Sequence, residues 1–320
     1  MIEVKDLKKS FGPNMAVAGI NFEVQKGEIL GFLGPNGAGK TTTMRILTCY
    51  IPADSGKATL AGYDTYKDSI EVRKRVGYLP ESAPLYLEMG VIDYLRFIAT
   101  IRNIPGNKRN SRIKEMIRVC GLQKEANKII GQLSKGYRQR VGLAQTLIHN
   151  PDILILDEPT TGLDPIQIIE IRDLIKEIGK EKTVILCSHI LPEVQATCGR
   201  IIIINKGKLV GSGTPKELAE NAKGQETVFM SIRGPLADIL EKIKKMTYVL
   251  DVSTQEEGET ELTDDKDIHK IEIKSDKGKD IREDLFRCVV ENGWSLTEMW
   301  THTITLEDVF KQLTCQEADV

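Results

Sequence analysis

Between Ile20 and Gln25 the chain alternates, with Ile20, Phe22 and Val24 apolar and Asn21, Glu23 and Gln25 polar. This predicts an antiparallel strand with one face buried and one wet. At Gly27 the rhythm changes. The run Ile29-Leu30-Gly31-Phe32-Leu33 predicts a buried strand, followed by a glycine-rich turn and then helical spacing at Met44, Ile46 and Leu47. From about Pro84 to Gly131, Val91, Ile92, Leu95 and Ile98 and then Ile113, Met116 and Ile117 recur at helical spacing, which reads as an inserted helical region. Beyond it come a helix from Arg138 to His149, an apolar strand Ile153-Leu156, a helix from Ile166 to Ile178 and an apolar strand Val184-Leu186. Strands alternating with helices imply a parallel sheet covered on both faces. A hairpin, Ile201-Ile204 and Lys208-Val210 about Asn205-Lys206-Gly207, leads to a last helix after Pro215.

Past Gly224 the pattern reads strand (Thr227-Ile232), helix (Leu236-Met246), strand (Tyr248-Ser253), strand (Ile268-Ile273), helix (Ile281-Glu291) and strand (Ser295-Trp300). This order predicts a small βαββαβ sandwich, with the acidic stretch from Gln255 to Asp267 as a solvated hairpin tip. The expected organisation is therefore a first domain over 1–222, with a helical subdomain over 84–137, and an accessory α+β domain over 225–320.

The balance of 44 Lys and Arg against 46 Asp and Glu, a net charge of −2, disfavours general attraction to nucleic acid. No apolar run approaches the roughly 18–20 residues that cross a bilayer. Glu3, Lys5, Asp6, Lys8 and Lys9 occupy the place where a signal peptide needs an apolar core, so cytoplasmic residence is expected. The six cysteines are scattered without a CxxC pair, as suits reduced thiols.

Candidate chemistry starts with Gly34-Pro35-Asn36-Gly37-Ala38-Gly39-Lys40-Thr41, which fits GxxxxGK[ST] and stands between an apolar strand and a helix. In that context backbone N–H groups converge on phosphates, Lys40 neutralises them and the Thr41 hydroxyl is a Mg²⁺ ligand. The strand Ile153-Leu156 ends in Asp157-Glu158. Two carboxylates emerging from a core need a partner, and Mg²⁺ held by Asp157 supplies one, leaving Glu158 to polarise an attacking water. His189 ends another strand, at the edge where open parallel sheets place ligands, in reach of a γ-phosphate. Ser134 is a natural N-cap, and Lys135, Arg138 and Arg140 crowd cations at the helix it starts, which reads either as a second phosphate site or as a solvated basic turn.

With these segments in this order, the chain resembles the nucleotide-binding subunits of ABC transporters over about residues 1–222. The resemblance implies an α/β P-loop NTPase fold with an antiparallel β subdomain and a helical insertion, joined to a small ferredoxin-like α+β domain. It places Phe11 on the adenine and makes Gly34, Pro35, Asn36, Gly37, Ala38, Gly39, Lys40, Thr41 and Thr42 the phosphate loop. Ser134 and Gly136 belong to the signature and Asp164 to the D-loop, Glu158 and His189 act with Lys40 in catalysis, and Thr41, Asp157 and Glu81 attend Mg²⁺. Such subunits bind ATP in head-to-tail homodimers, each signature closing over the other copy's phosphate loop.

Two positions depart from the family pattern. The signature reads LSKGY where LSGGQ is usual, and Tyr78-Leu79-Pro80-Glu81 carries Glu where Gln is usual. Glu81 and the tail from Thr303 to Phe310 are similar to the ABC-2 type exporter branch, whose relatives include sodium-efflux, antibiotic-resistance and gliding-motility ATPases. The resemblance therefore implies an ATPase lying on the cytoplasmic face of a membrane and serving separately encoded membrane subunits. These would dock near Ser82 to Met89, where Tyr86 and Leu87 are expected to be exposed. The alternatives are a non-transport ABC ATPase acting on ribosomes or DNA, and a regulatory ATP-binding module.

Overall fold

The computed structural model describes residues 1–222, 226–254, 268–276, 280–302 and 305–315. Gly224, the stretch from Gln255 to Asp267, Thr303 and Ile304 lie outside the described residues. The chain forms two compact units, one from Met1 to Pro215 joined by the residues from Phe310 onward, the other from Lys216 to Val309.

In the first unit β1 (Ile2–Phe11) pairs antiparallel with β2 (Asn14–Val24) on one side and β4 (Ser55–Leu60) on the other, and β5 (Tyr63–Asp64) completes the sheet. The alternation holds: Ile20, Phe22 and Val24 are buried while Asn21 and Glu23 are exposed. β4 was not legible, because Ser-Gly-Lys-Ala-Thr-Leu has little apolar rhythm. Pairing makes it a strand, and Gly56 permits the pairing: at φ +84° a Cβ there would stand 2.1 Å from the Asp6 carbonyl oxygen.

The second sheet runs β10-β9-β3-β8-β7-β6. Its parallel strands are β3 (Ile29–Leu33), β6 (Val76–Leu79), β7 (Ile153–Asp157), β8 (Thr183–Ser188) and β9 (Arg200–Asn205), and β10 (Lys208–Gly213) closes the edge antiparallel. Every residue of β7 and β8 is buried, which is why both read as unbroken apolar runs. Helix α1 (Lys40–Leu47) follows β3 directly, and Met44, Ile46 and Leu47 join Leu7, Phe22, Phe32 and Ile185 in one core. Between α2 (Ser69–Arg75) and β7 stand β6 and the helical insertion, with α3 (Val91–Ile101), α4 (Gly106–Val119) and α5 (Lys135–Leu147). α5 begins three residues before the expected Arg138, because the Ser134 hydroxyl accepts from Tyr137 N and caps the helix there. α6 (Pro165–Gly179) precedes β8, and α7 (Leu191–Thr197) packs its Val194 against Gly31 of β3.

Just beyond α5, His149 holds Val76 O at 3.1 Å through Nε2, while Nδ1 is buried without a partner. Burial, and then the charges of Arg102, Arg112 and Lys182, push its pKa from 6.5 down to about 4. The folded chain keeps this ring neutral where the unfolded chain protonates. The resulting stability is present above pH ~6.5 and is lost as pH falls toward ~4, by up to about 3 kcal/mol. In His149→Gln the urea midpoint should fall less between pH 7 and 5 than in the parent. Equal slopes would exclude this ring as the acid-sensitive group.

The second unit contains α8 (Pro215–Ala222) from Lys216 on, then β11 (Glu226–Arg233), α9 (Leu236–Lys244), β12 (Val249–Thr254), β13 (Ile268–Ser275), α10 (Arg282–Glu291) and β14 (Ser295–His302). This is the expected βαββαβ order, folded as an antiparallel sheet β12-β13-β11-β14. Ile239, Ile243, Leu285 and Val289 from the two helices between strands share a core with Val228, Met230, Ile232, Ile271 and Ile273. The last helix, α11 (Leu306–Cys315), ends in the first unit's part of the chain, where Asn205 Nδ2 donates to Thr314 O at 3.3 Å.

Candidate active site

The turn between β3 and α1 is built for close approach. Gly37 and Gly39 have φ of +80° and +104°, and a Cβ on Gly39 would lie 2.2 Å from Ala16 O. Lys40 is 6% exposed, and its ammonium donates to Gly34 O at 2.8 Å and Pro35 O at 3.1 Å. The charge is thus curled back over its own loop, at a helix N-terminus with no acidic residue in its first turn. Phosphate oxygens arriving here would compete with two neutral carbonyls for a buried cation.

Facing the loop are the ends of β7 and β8. Glu158 has φ +52°, a left-handed conformation, and its N–H donates to Cys187 O at 2.9 Å. One carboxylate oxygen stands 3.7 Å from Lys40 Nζ, and the other is 2.9 Å from His189 Nδ1 and 3.4 Å from the hydroxyls of Thr161 and Ser188. Asp157 is 1% exposed, and neither of its oxygens has a hydrogen-bond partner among the described residues. Burial raises its pKa, opposed by the nearby Cys187 thiol and Thr41 hydroxyl and reinforced by the charges of Glu158 and Glu81. A buried carboxylate with two unpaired oxygens beside a threonine hydroxyl has the donor chemistry of a hard divalent cation site.

A cavity of about 350 Å³ joins these parts, lined by Ala16, Asn36, Gly37, Gly39, Lys40, Thr41, Thr42, Glu81, Glu158, Thr161 and His189. The structure thus brings together the phosphate loop, Glu158, His189 and Glu81, with Asp157 buried beneath. Phe11, 52% exposed with the Lys9 ammonium 5.7 Å from its ring centre, is not in this lining, nor are Ser134, Gly136 and Asp164. Ser134 caps α5 and Asp164 caps α6, accepting from Gln167 N at 2.9 Å; Gly136 is buried against the Gln167 side chain. Sequence reasoning missed Ala16, Thr161, Ser188 and Glu193. The last is buried and accepts from the Thr160 hydroxyl, so it braces the turn that carries Glu158. The run Thr160-Thr161 after Asp157-Glu158-Pro159 was the signal for Thr161 alone; Ala16, Ser188 and Glu193 had none.

A family model described as ABC transporter matches residues 17–161. The bacitracin transport ATP-binding protein of Bacillus licheniformis is 34% identical over 98% of this chain and 97% of its own length. The chain belongs to the ABC transporter ATP-binding proteins. Other relatives are the linearmycin resistance ATP-binding protein of Bacillus subtilis, 32% identical over 80% of this chain and 83% of that protein, and the NatA ATP-binding protein of the same species, 35% identical over 73% and 99%. Among solved structures, a dimeric ATP-binding cassette in a post-hydrolysis state with ADP and phosphate matches with TM-score 0.61 and 25% identity, covering 67% of this chain and 98% of that one. The chain is accordingly an ATP-binding and ATP-hydrolysing ABC ATPase, and the fold is the P-loop cassette with its antiparallel and helical additions.

Proposed function

We propose that this ABC ATPase powers export through separately encoded membrane subunits, as a head-to-tail homodimer binding two ATP·Mg²⁺. The observation that carries the catalytic part is the contact of Glu158 with both Lys40 and His189 across the phosphate-loop cavity. Thr41 and Asp157, with Glu81 at the rim, would hold Mg²⁺, whose chemistry is charge neutralisation on the phosphates. Glu158 orients and deprotonates the attacking water, His189 holds Glu158 and reaches toward the γ-phosphate, and Lys40 exchanges its loop carbonyls for phosphate oxygens. Ser134 and Gly136, outside the lining of their own chain's cavity, would complete the partner's site, with Asp164 at the dimer seam and Phe11 against adenine. The ATP-binding domain would span 1–222, with 84–137 as its helical subdomain, and 225–320 would form the accessory domain.

Export draws support from relatives named for bacitracin transport and linearmycin resistance. For docking, a groove of about 480 Å³ runs beside the expected Ser82 to Met89 segment, lined by Arg45, Arg73, Arg102, Tyr50, Tyr78, Pro80, Ser82, Pro84 and others. Its lining contains no carboxylate, and its three arginines pair with none among the described residues. Charge complementarity therefore favours a membrane-subunit segment bearing an acidic residue. Nearby Tyr86 and Leu87 are 50% and 46% exposed, and Tyr86 packs edge-on against Tyr94 at 6.0 Å.

Co-expression with a neighbouring six-span membrane protein, followed by purification and vesicle transport, tests the reading. ATP-dependent efflux is expected, whereas capture of ribosomes without a membrane partner would overturn it. Arg73→Glu with Arg102→Glu should reduce co-purification about tenfold or more while leaving ATP hydrolysis by the isolated subunit unchanged. Undiminished capture would remove the arginine groove from docking.

A further inference from the structure

The sheet of the second unit has one face covered and one bare. Val228, Met230 and Ile232 of β11 point into the helix-covered core, so Phe229 and Ser231 point the other way. There Phe229 stacks on Trp300 of β14, with ring centroids 4.3 Å apart and planes 19° apart, and Trp300 is 50% exposed. Strand pairing arranges the neighbours in two rows. Trp300, Phe229 and Glu272 lie abreast across β14, β11 and β13, and one pleat along, Glu298, Ser231 and Lys270 lie abreast. A hollow of about 180 Å³ opens over the small Ser231, bounded by Phe229, Trp300, Lys270 and Glu298. Lys270 and Glu298 are exposed and form no ion pair with any described residue.

We propose that this bare face packs on the same face of a second copy of the chain, about a two-fold axis that lies in the interface, across the strands, midway between the two rows. That operation lays each row on the other. Phe229 enters the hollow above Ser231 of the partner subunit, Lys270 meets Glu272 of the partner subunit, and the Trp300 indole N–H meets Glu298 of the partner subunit, each contact occurring twice. A two-fold axis along β11 instead would set hollow against hollow and leave both unfilled, contrary to the density of packed interiors. Nucleic acid or an acidic surface is a poorer occupant, because Glu272, 3.9 Å from Lys274, and Glu298 offset the lysines of this face.

Related cassettes are solved as dimers. The inference rests on the homodimer reading in this respect: a dimer of cassettes carries two copies of this domain, raising the effective concentration of a weak contact.

Sedimentation equilibrium of the full chain without nucleotide tests the face separately from the ATP-driven contact. The parent chain should self-associate. Lys270→Glu should weaken association about tenfold, and Lys270→Glu with Glu272→Lys, which restores the reciprocal pair in opposite sense, should recover it to within about threefold. A parent chain that stays monomeric at its highest soluble concentration would overturn the proposal, as would unaffected association in Lys270→Glu or failure of the charge swap to rescue. So would Trp300 becoming shielded from a soluble quencher only on addition of a membrane subunit, which would assign the face to that partner. ATP-trapped dimers of Glu158→Gln should persist with Lys270→Glu added. Their absence from Glu158→Gln itself would count against the cassette dimer and leave the sheet face to be judged on the nucleotide-free measurements.

Discussion

Glu158→Gln is expected to lower steady-state ATP hydrolysis by about 10²–10⁴-fold, the range associated with a lost general base, while ATP still binds. The amide keeps the size of the side chain and can still accept from Thr161 and Ser188, which now approach the carboxylate at 3.4 Å. What it loses is basicity toward water and the negative charge that faces Lys40 and His189. With hydrolysis stopped and the phosphate loop intact, the ATP-bound dimer should accumulate, visible as a nucleotide-dependent shift in molar mass. Chemical quench of a single turnover separates this from slow product release. Normal turnover in the variant would remove Glu158 from the role of base, whatever its position.

Lys40→Ala should act one step earlier. Among the described residues its buried ammonium is satisfied by two loop carbonyls and the distant Glu158 carboxylate, so it is available to phosphate at little cost in broken contacts. Removing it takes away the main cation of the loop and leaves Glu158 with His189 as its remaining basic neighbour. Losses of 2–5 kcal/mol are typical when one member of a buried charge pair is truncated, so ATP affinity should fall by on the order of 10²-fold. Titration calorimetry reads this directly, and ATP should no longer raise the melting temperature at concentrations that stabilise the parent. Unchanged affinity would sink the phosphate-loop assignment. The two variants differ in kind, because one separates binding from turnover and the other removes both.

Much of the fold was legible because its strongest strands are buried on both faces. β3, β7 and β8 could be read without a structure, since a strand with helices on either side has to be apolar throughout. The short strand β4 was not, because its stability comes from pairing with β1 and from one glycine that lets two backbones meet. The site divides in the same way. Residues whose chemistry is tied to local geometry, such as Lys40 after a glycine turn or Asp157 at a strand end, announce themselves by spacing. Glu193, 33 positions from Thr160, braces the turn that carries Glu158 through a contact that no spacing encodes.

The chain by itself determined the glycine-rich turn before Lys40, the paired carboxylates, the order of strands and helices and hence the family, because each is a local pattern repeated in register with the backbone. Only the tertiary structure decided that Glu158, with a left-handed backbone, lies beside Lys40 and His189, and that, among the described residues, Asp157 is left with both oxygens unpaired and three arginines share a groove without a carboxylate. It alone also showed Trp300 exposed and stacked on the half-buried Phe229 on one side of the second sheet. Those facts depend on which distant segments meet. Burial and electrostatic strain are properties of that meeting, and no local pattern carries them.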